Sequence, residues 1–289
     1  MRLSVVIPAY NEEDGILDTI AEAKAVLAGL AGVEAWEIVV VDDGSTDRTR
    51  EILGGIEGIE IVEHPHNAGY GRSLKSGIAA AAHDTIVITD ADLTYPFTAL
   101  PELLALYRKG FDMVVAARGN VQDHESAIMG PFRFVLKWLV EFTSGRRVPD
   151  INSGFRVFDK RAVTGYFSHL CDTFSFTTSL TLSYLMTGRF VAYHQISYRG
   201  RKGKTKVRLF RDTLRTMQYI VQATTYYNPL KMFILMAAFA LIYALAGLVG
   251  WWAFGLAGGA SMALSGLVLA FLMFSFGLLA VLLKQIMDK

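Results

Sequence analysis

The chain has 289 residues, 52% of them hydrophobic, with a formal net charge of +1 and a mean hydropathy of +0.34, high for a soluble protein. The excess sits at the C-terminal end. The one cysteine, Cys171, excludes an internal disulfide framework and fits a reducing compartment.

Residues 3–7 predict a short apolar strand stopped by Pro8. Residues 12–30 have helical spacing, with Ile16, Ile20, Ala23 and Leu27 on one face. Residues 37–41 read as a second strand running into Asp42-Asp43-Gly44-Ser45, and Thr46 or Asp47 is placed to cap the next helix. A third strand at 59–62, a helix at 72–82 and a β-branched strand at 85–89 follow. Alternating β and α units imply a parallel sheet with helices on both faces, and such sheets bind ligands beyond the carboxyl ends of their strands. Three polar clusters lie at such ends: Pro8-Ala9-Tyr10-Asn11, Asp42-Asp43 and Asp90-Ala91-Asp92. Carboxylates two residues apart at a strand end point the same way and repel unless something neutralises them. Hard oxygen ligands there suit Mg2+ or Mn2+ shared with substrate phosphates. Alone, the triplet reads equally well as a polar turn. Convergence of the three clusters on one edge favours the metal site.

Residues 113–117 form another strand, ending at Arg118. A helix over 131–145 opens on Pro131 and carries Phe132, Val135, Leu139 and Phe142 on one face and Arg133, Lys137 and Glu141 on another. Residues 209–227 repeat the style, with Arg208, Arg211 and Arg215 beside an apolar stripe. Such helices suit a bilayer interface or ordinary packing. For the first both readings stay open; for the second, next to a span, the interface is preferred. Residues 232–254 and 262–283 carry no charge, and each is long enough to span a hydrocarbon core. Lys231, Lys284 and Lys289 flank them, which puts both chain ends in the cytoplasm. Trp251 and Trp252 read as interfacial anchors. No signal peptide is visible in the sequence given. The expected organisation is a cytoplasmic catalytic domain over 1–206, a juxtamembrane helix over 207–230 and two spans within 231–289.

Charge is segregated. Residues 1–110 hold 8 Lys/Arg against 18 Asp/Glu, and residues 111–230 hold 17 against 8. Anionic partners belong with the second part: headgroups or a phosphorylated substrate, not nucleic acid beside two spans. The turn Asn67-Ala68-Gly69-Tyr70-Gly71-Arg72 opens a helix and reads either as a tight turn or as a cradle for an anion. His64, His66, His169 and His194 lack metal-ligand spacing.

The motifs Val5-Val6-Ile7-Pro8-Ala9-Tyr10-Asn11-Glu12-Glu13, Val41-Asp42-Asp43-Gly44-Ser45-Thr46-Asp47 and Asp90-Ala91-Asp92 resemble family-2 glycosyltransferases of the GT-A fold. Asn152-Ser153-Gly154-Phe155-Arg156 and Arg201-Lys202-Gly203-Lys204-Thr205-Lys206 narrow the resemblance to polyprenyl-phosphate glycosyltransferases, over residues 1 to about 210. The resemblance implies metal-dependent, inverting transfer from a nucleotide-sugar to a polyprenyl phosphate at the cytoplasmic face of a bacterial-type inner membrane. Pro8, Ala9, Tyr10, Glu12 and Asp42 match nucleoside-holding positions, with Asn67 a further candidate. Asp90, Ala91 and Asp92 match the ribose and metal–diphosphate positions. Candidates for the acceptor phosphate are Arg118, Arg133 and Arg201, with Lys204 and Lys206 behind them. Relatives are often oligomeric, so a homo-oligomer stays open.

Two departures matter. Thr94 stands where many relatives have Gln, a shorter ligand that would act through water. The segment Phe174-Ser175-Phe176-Thr177-Thr178 is uncharged where many relatives carry an acid. A phosphate acceptor explains this, since it is anionic at pH 7 and needs no general base. The site must instead bring two anions together: at about 6 Å and a dielectric of about 20, unit charges repel by roughly 3 kcal/mol. Two alternatives remain. A glycolipid hydroxyl acceptor would need a base, for which Asp172 is the candidate. A non-catalytic nucleotide-sugar-binding subunit is the other, and intact Asp90 and Asp92 argue against it.

Overall fold

The computed structural model describes residues 1–119, 130–200 and 209–287. The chain divides into two units, Met1–Ile220 and Val221–Lys289.

The first unit is built on a seven-stranded sheet. Its elements in chain order are β1 (Arg2–Ala9), α1 (Ile16–Ala28), β2 (Ala35–Asp42), α2 (Thr49–Gly54), β3 (Glu60–Glu63), α3 (Tyr70–Ala80), β4 (Thr85–Ile88), α4 (Leu100–Tyr107), β5 (Met113–Arg118), α5 (Gly130–Ser144), β6 (Arg156–Asp159), α6 (Lys160–Thr164), α7 (Phe176–Met186) and β7 (Val191–Ile196). The strand order is β3-β2-β1-β4-β6-β5-β7. All pairs are parallel except those of β6, which runs against both β4 and β5. The carboxyl ends of six strands and the amino end of β6 therefore share one edge. One layer of core packs α1 and α4 onto the sheet through Ile16, Ile20, Leu27, Leu100 and Leu104; a second packs α3 and α7 through Leu74, Ile78, Phe176 and Leu180.

Three local differences from the sequence reading have physical causes. β1 runs through Pro8 to Ala9, with Pro8 opposite Val41. Pairing with β4 ends at Val6 opposite Ile88, so the missing N–H of Pro8 falls where that ladder has stopped. α1 starts four residues later than its apolar spacing suggests, because the Glu12 carbonyl accepts from Gly15 and Ile16 N–H in a preceding turn. Neither Thr46 nor Asp47 is the N-cap of α2; Arg48 is, while the Asp47 carboxylate accepts from Thr49 N–H at 2.9 Å.

The helix α8 (Leu209–Tyr227) crosses the division between the units. The second unit holds α9 (Pro229–Phe254) and α10 (Gly259–Met287), both long and apolar enough to cross a membrane. They pack through small residues. A Cβ on Gly266 would lie 2.7 Å from the Ala244 Cβ, and one on Gly247 would lie 2.8 Å from Ala263 N. Close backbone approach of this kind gives helices a large dispersion contact where lipid removes the hydrophobic drive. The outer faces carry exposed Phe239, Ile242, Leu264 and Phe271.

Candidate active site

The first two clusters are tied into one frame. Asn11, in a left-handed conformation (φ 53°), accepts from Thr46 N–H at 2.7 Å and donates its own N–H to Ser45 Oγ at 3.0 Å. Asn is among the few residues that adopt this conformation readily. Glu12 N–H donates to Thr49 Oγ1 at 2.8 Å. Pro8 and Ala9 are buried at the strand end, whereas Tyr10 and Glu12 are half-buried. The Asp42 carboxylate is fully buried, accepting from Ser45 N–H and pairing with Arg50 Nε at 3.1 Å. Asp43 is a hub: its oxygens accept from Ala68 and Gly69 N–H at 2.9 Å, and Oδ1 lies 2.7 Å from His64 Nδ1. His64 Nε2 meets Ser76 Oγ at 3.0 Å, so this histidine serves packing.

These bonds decide the turn at 67–72. Its Ala68 and Gly69 N–H groups serve Asp43, and Arg72 N–H donates to the Asp172 carbonyl at 2.8 Å. It is a tight turn holding the amino end of α3, and these three N–H groups are committed within the protein. Asn67 itself is exposed beside it.

Asp90-Ala91-Asp92 follows β4. Ala91 is buried against the start of α1, its carbonyl accepting from Thr19 Oγ1 at 3.0 Å. Asp90 Oδ1 accepts from the Tyr70 hydroxyl at 2.8 Å. Burial, and then the Asp90 charge, push the Tyr70 pKa well up, so it remains a proton donor to that carboxylate. Asp92 is buried, and its Oδ1 accepts from both Thr94 N–H (3.2 Å) and Thr94 Oγ1 (2.5 Å). Thr94 is itself buried, and its two hydrogen bonds orient the Asp92 carboxylate. Leu93 between them has φ 62°, costly for a residue with a Cβ. Such strain persists where surroundings over-determine it and clusters at functional loops.

Arg118 ends β5. It donates to Asp150 three times: from N–H at 3.1 Å, from Nε at 2.7 Å and from Nη2 at 3.0 Å. Burial opposes its charge, but Tyr95 and the Asp150 carboxylate outweigh this and hold its pKa above the ordinary value. Its guanidinium also lies 5.3 Å from the Tyr198 ring centroid. Asp150 additionally accepts from Asn152 N–H at 3.1 Å, fixing the 152–154 loop. Burial disfavours the Asp150 charge, yet its bonds to Arg118 hold its pKa below the ordinary 3.8. That loop returns to Asp90: a Cβ on Gly154 would lie 2.6 Å from Asp90 Oδ1, so any side chain there would have to displace the carboxylate. Gly154 N–H donates to the Tyr95 hydroxyl at 2.7 Å, and Asn152 Oδ1 accepts from Thr178 Oγ1 at 2.8 Å.

After β7, Arg199 N–H donates to the Thr94 carbonyl at 2.9 Å and its guanidinium pairs with Glu22 at 2.7 Å. Arg201, Lys204 and Lys206 lie outside the described residues. Arg133 falls on α5, but its side chain is likewise outside them. On the same helix Phe134, Val135 and Trp138 are exposed. The Asp172 carboxylate pairs with Lys75 Nζ at 2.6 Å.

Among the described residues no group of three His, Cys, Asp or Glu side chains could hold a metal on its own. Asp90 and Asp92 nevertheless fit a divalent ion: Mg2+ characteristically takes one or two protein carboxylates and completes its shell with water and substrate phosphates. Tyr70, Tyr95 and Arg156 all shape this centre and were not candidates from the sequence. An aromatic residue carries no periodic or spacing signal for such a role.

Solved structures share the fold. A crystal structure of glucosyl-3-phosphoglycerate synthase from Mycobacterium tuberculosis, with Mn2+, UDP and glucosyl-3-phosphoglycerate, superposes with a TM-score of 0.62 at 20% identity, covering 77% of this chain and 80% of that one. A further structure of that enzyme, with Mg2+ and UDP, gives 0.57 at 19% identity over 77% of this chain and 79% of that one. The fold class is therefore GT-A: a mostly parallel, mixed sheet flanked by helices. A family model, glycosyl transferase family 2, matches residues 4–166, and the chain belongs to that family. Among curated relatives, undecaprenyl-phosphate 4-deoxy-4-formamido-L-arabinose transferase from Salmonella paratyphi A is 31% identical over 162 residues, 54% of this chain and 48% of that protein. The protein of that name from Pseudomonas fluorescens is 37% identical over 128 residues, 42% of this chain and 36% of that protein. The chain thus spans about half the length of the Salmonella relative and about a third of the Pseudomonas one.

Proposed function

We propose that the chain transfers a sugar from a nucleotide-sugar to a polyprenyl phosphate of the undecaprenyl type, with Mg2+ or Mn2+, at the cytoplasmic face of a bacterial-type inner membrane. The observation that carries this reading is the pairing of opposite charges on one sheet edge. Carboxylates follow β4, and a guanidinium held bidentately by Asp150 sits on the last residue of β5. The names of the curated relatives support the acceptor, and the Mn2+, Mg2+ and UDP in the solved neighbours support the donor and the ion.

In this reading Pro8, Ala9, Tyr10, Glu12 and Asn67 hold the nucleoside, together with Asp42, whose carboxylate also holds Arg50. Asp90 and Asp92, on either side of Ala91, hold the ion against the donor diphosphate. When bound, the ion stabilises the negative charge that the departing nucleoside diphosphate gains. Arg118, Arg133 and Arg201, with Lys204 and Lys206, gather the acceptor phosphate; forked guanidinium donors match phosphate oxygens. A phosphate oxygen of the lipid forms the bond to the anomeric carbon as the bond to the diphosphate breaks, inverting that centre. The acceptor oxygen carries no proton to remove, so the uncharged 174–178 segment is no defect. Asp172, engaged with Lys75, is a poor candidate for a base. The spans α9 and α10 would keep the enzyme with its lipid, both chain ends cytoplasmic.

The test is incubation of detergent-purified protein with polyprenyl phosphate and a panel of nucleotide-sugars, with and without chelator, and identification of the lipid product by mass. A glycosyl-phosphoryl lipid formed only with divalent ion is expected, and Asp92→Ala should abolish it. Transfer to a glycolipid hydroxyl, or undiminished turnover in chelator, would sink the proposal.

A further inference from the structure

Arg156 heads the fully buried side chains by size, at 0% exposure. Its partners are neutral. Nε donates to the Ser153 carbonyl at 2.7 Å, Nη2 to the Ile151 carbonyl at 2.8 Å and Nη1 to Thr181 Oγ1 at 2.7 Å, with Met113 Sδ 3.8 Å from Nη1. Among the described residues no carboxylate pairs with it. A charge held out of water with no directly bonded counter-ion, the Asp150 carboxylate acting on it only through space, is costly, and a well-packed apolar side chain is often no less stable. What the guanidinium supplies instead is a rigid, planar fork. Two of its three acceptors are carbonyls of one loop, and the third, on α7, fixes the plane of the fork.

That loop touches both halves of the site. At its Asp150 end it grips Arg118 through three hydrogen bonds. At its Gly154 end it lies against Asp90, close enough that a Cβ would strike the carboxylate. Asn152 between them is bonded to both Asp150 and Thr178. We propose that Arg156 is a positioning residue that sets the spacing between Arg118 and Asp90, by clamping the backbone of the loop that contacts both. What this spacing serves, a phosphate on one side and a metal–diphosphate on the other, rests on the function proposed above; the clamp itself does not. Lysine keeps the charge but, as a point donor, does not span three acceptors in one plane.

The experiment uses the full chain in detergent and the variants Arg156→Lys, Thr181→Val and Asp150→Asn, singly and with Asp150→Asn combined with each of the others. It reads turnover with polyprenyl phosphate, KM for the nucleotide-sugar, and amide hydrogen exchange at residues 118 and 151–154. The Arg118 and Asn152 N–H groups both donate to Asp150, so their exchange reports loop position without substrate. Misplacement on the ångström scale costs about 10²-fold in rate, and Arg156→Lys should lower kcat by about that much, with donor KM little changed. Thr181→Val should lower it by about 10-fold, since the two loop carbonyls keep their donors. Combined with Asp150→Asn, either change should add little further loss, because both act through the same loop. Exchange at 118 and 152 should quicken in each single variant. Losses that multiply, or unaltered exchange at Arg118 in a folded variant, would overturn the proposal. If Arg156→Lys does not fold, the Thr181→Val comparison decides alone. If the wild type transfers nothing, the transfer reading fails and the exchange data still decide the clamp.

Discussion

Residues with no room to spare set the behaviour of this site. Gly154→Ala drives a Cβ to within 2.6 Å of Asp90 Oδ1. Overpacking of this kind costs about 1–3 kcal/mol, and here the strain falls on a proposed ion ligand. Metal-dependent nucleotide affinity, measured by titration calorimetry, should weaken about 10-fold or more, the equivalent of about 1.4 kcal/mol. Unchanged affinity would remove Asp90 from the ion site. Asp150 makes a pH prediction. Its pKa is held below 3.8 in the folded chain. A depressed acid contributes stability above its unfolded pKa, and that contribution fades as pH falls through the folded value. The stability lost in Asp150→Asn, about 3 kcal/mol for a broken buried pair, should therefore be constant between about pH 5 and 8. Below about pH 4 it should shrink. Denaturant unfolding at several pH values checks this, and a difference that grows on acidification would contradict the pair.

At the scale of elements, the legible parts were those with a clean period. β1, β2, β4 and β5 are apolar runs, and α8 matches its expected bounds, as its amphipathic spacing required. Three elements gave no such signal. β6 is four residues, Arg-Val-Phe-Asp, too short for alternation to register. β7 mixes His194 and Gln195 into an edge strand. α7 is buried almost all round, with serine and threonine on every face. Its hydroxyls satisfy themselves on nearby carbonyls, Thr181 Oγ1 on Thr177 O and Ser179 Oγ on Phe176 O. Such a helix has no polar stripe to find. The site divided in the same way. Strand-end carboxylates were readable because charge after an apolar run is conspicuous. The grip of Asp150 on Arg118, 32 residues away, depends on the reversal of β6. The α9–α10 hairpin supplies its own test. Gly266→Val places branched carbons where Ala244 already packs, and should lower the thermal stability of the hairpin in detergent by about 2 kcal/mol. Phe271→Ala, at a side chain 70% exposed, should cost far less. Equal losses would mean that the helices do not meet through their glycines.

For the whole molecule, the two apolar helices make a prediction about surroundings. Trp252 is 86% exposed and Trp251 53%, both at the end of α9. If α9 spans a bilayer, their fluorescence in vesicles should be quenched most by bromines placed near the headgroups, as for aromatic belts. Phe substitutions at both should remove that component, leaving Trp36 and Trp138. Strongest quenching at the bilayer centre would argue against this end lying at an interface. The reversed strand has a consequence for how the molecule can change. Because β6 runs against its neighbours, the segment delivered to the shared edge precedes a strand instead of following one. The stretch from Asp150 to Gly154 thus arrives at the edge just ahead of β6, with Asp150 bonded to Arg118 and Gly154 against Asp90. The register of the pleat beneath is set by the pairing of β4, β5 and β6 and not by that stretch. Under the proposed function, exchanging that stretch should therefore change how Arg118 meets the acceptor while the nucleotide half of the enzyme stays as it was; the basic residues after β7 would have to be exchanged separately.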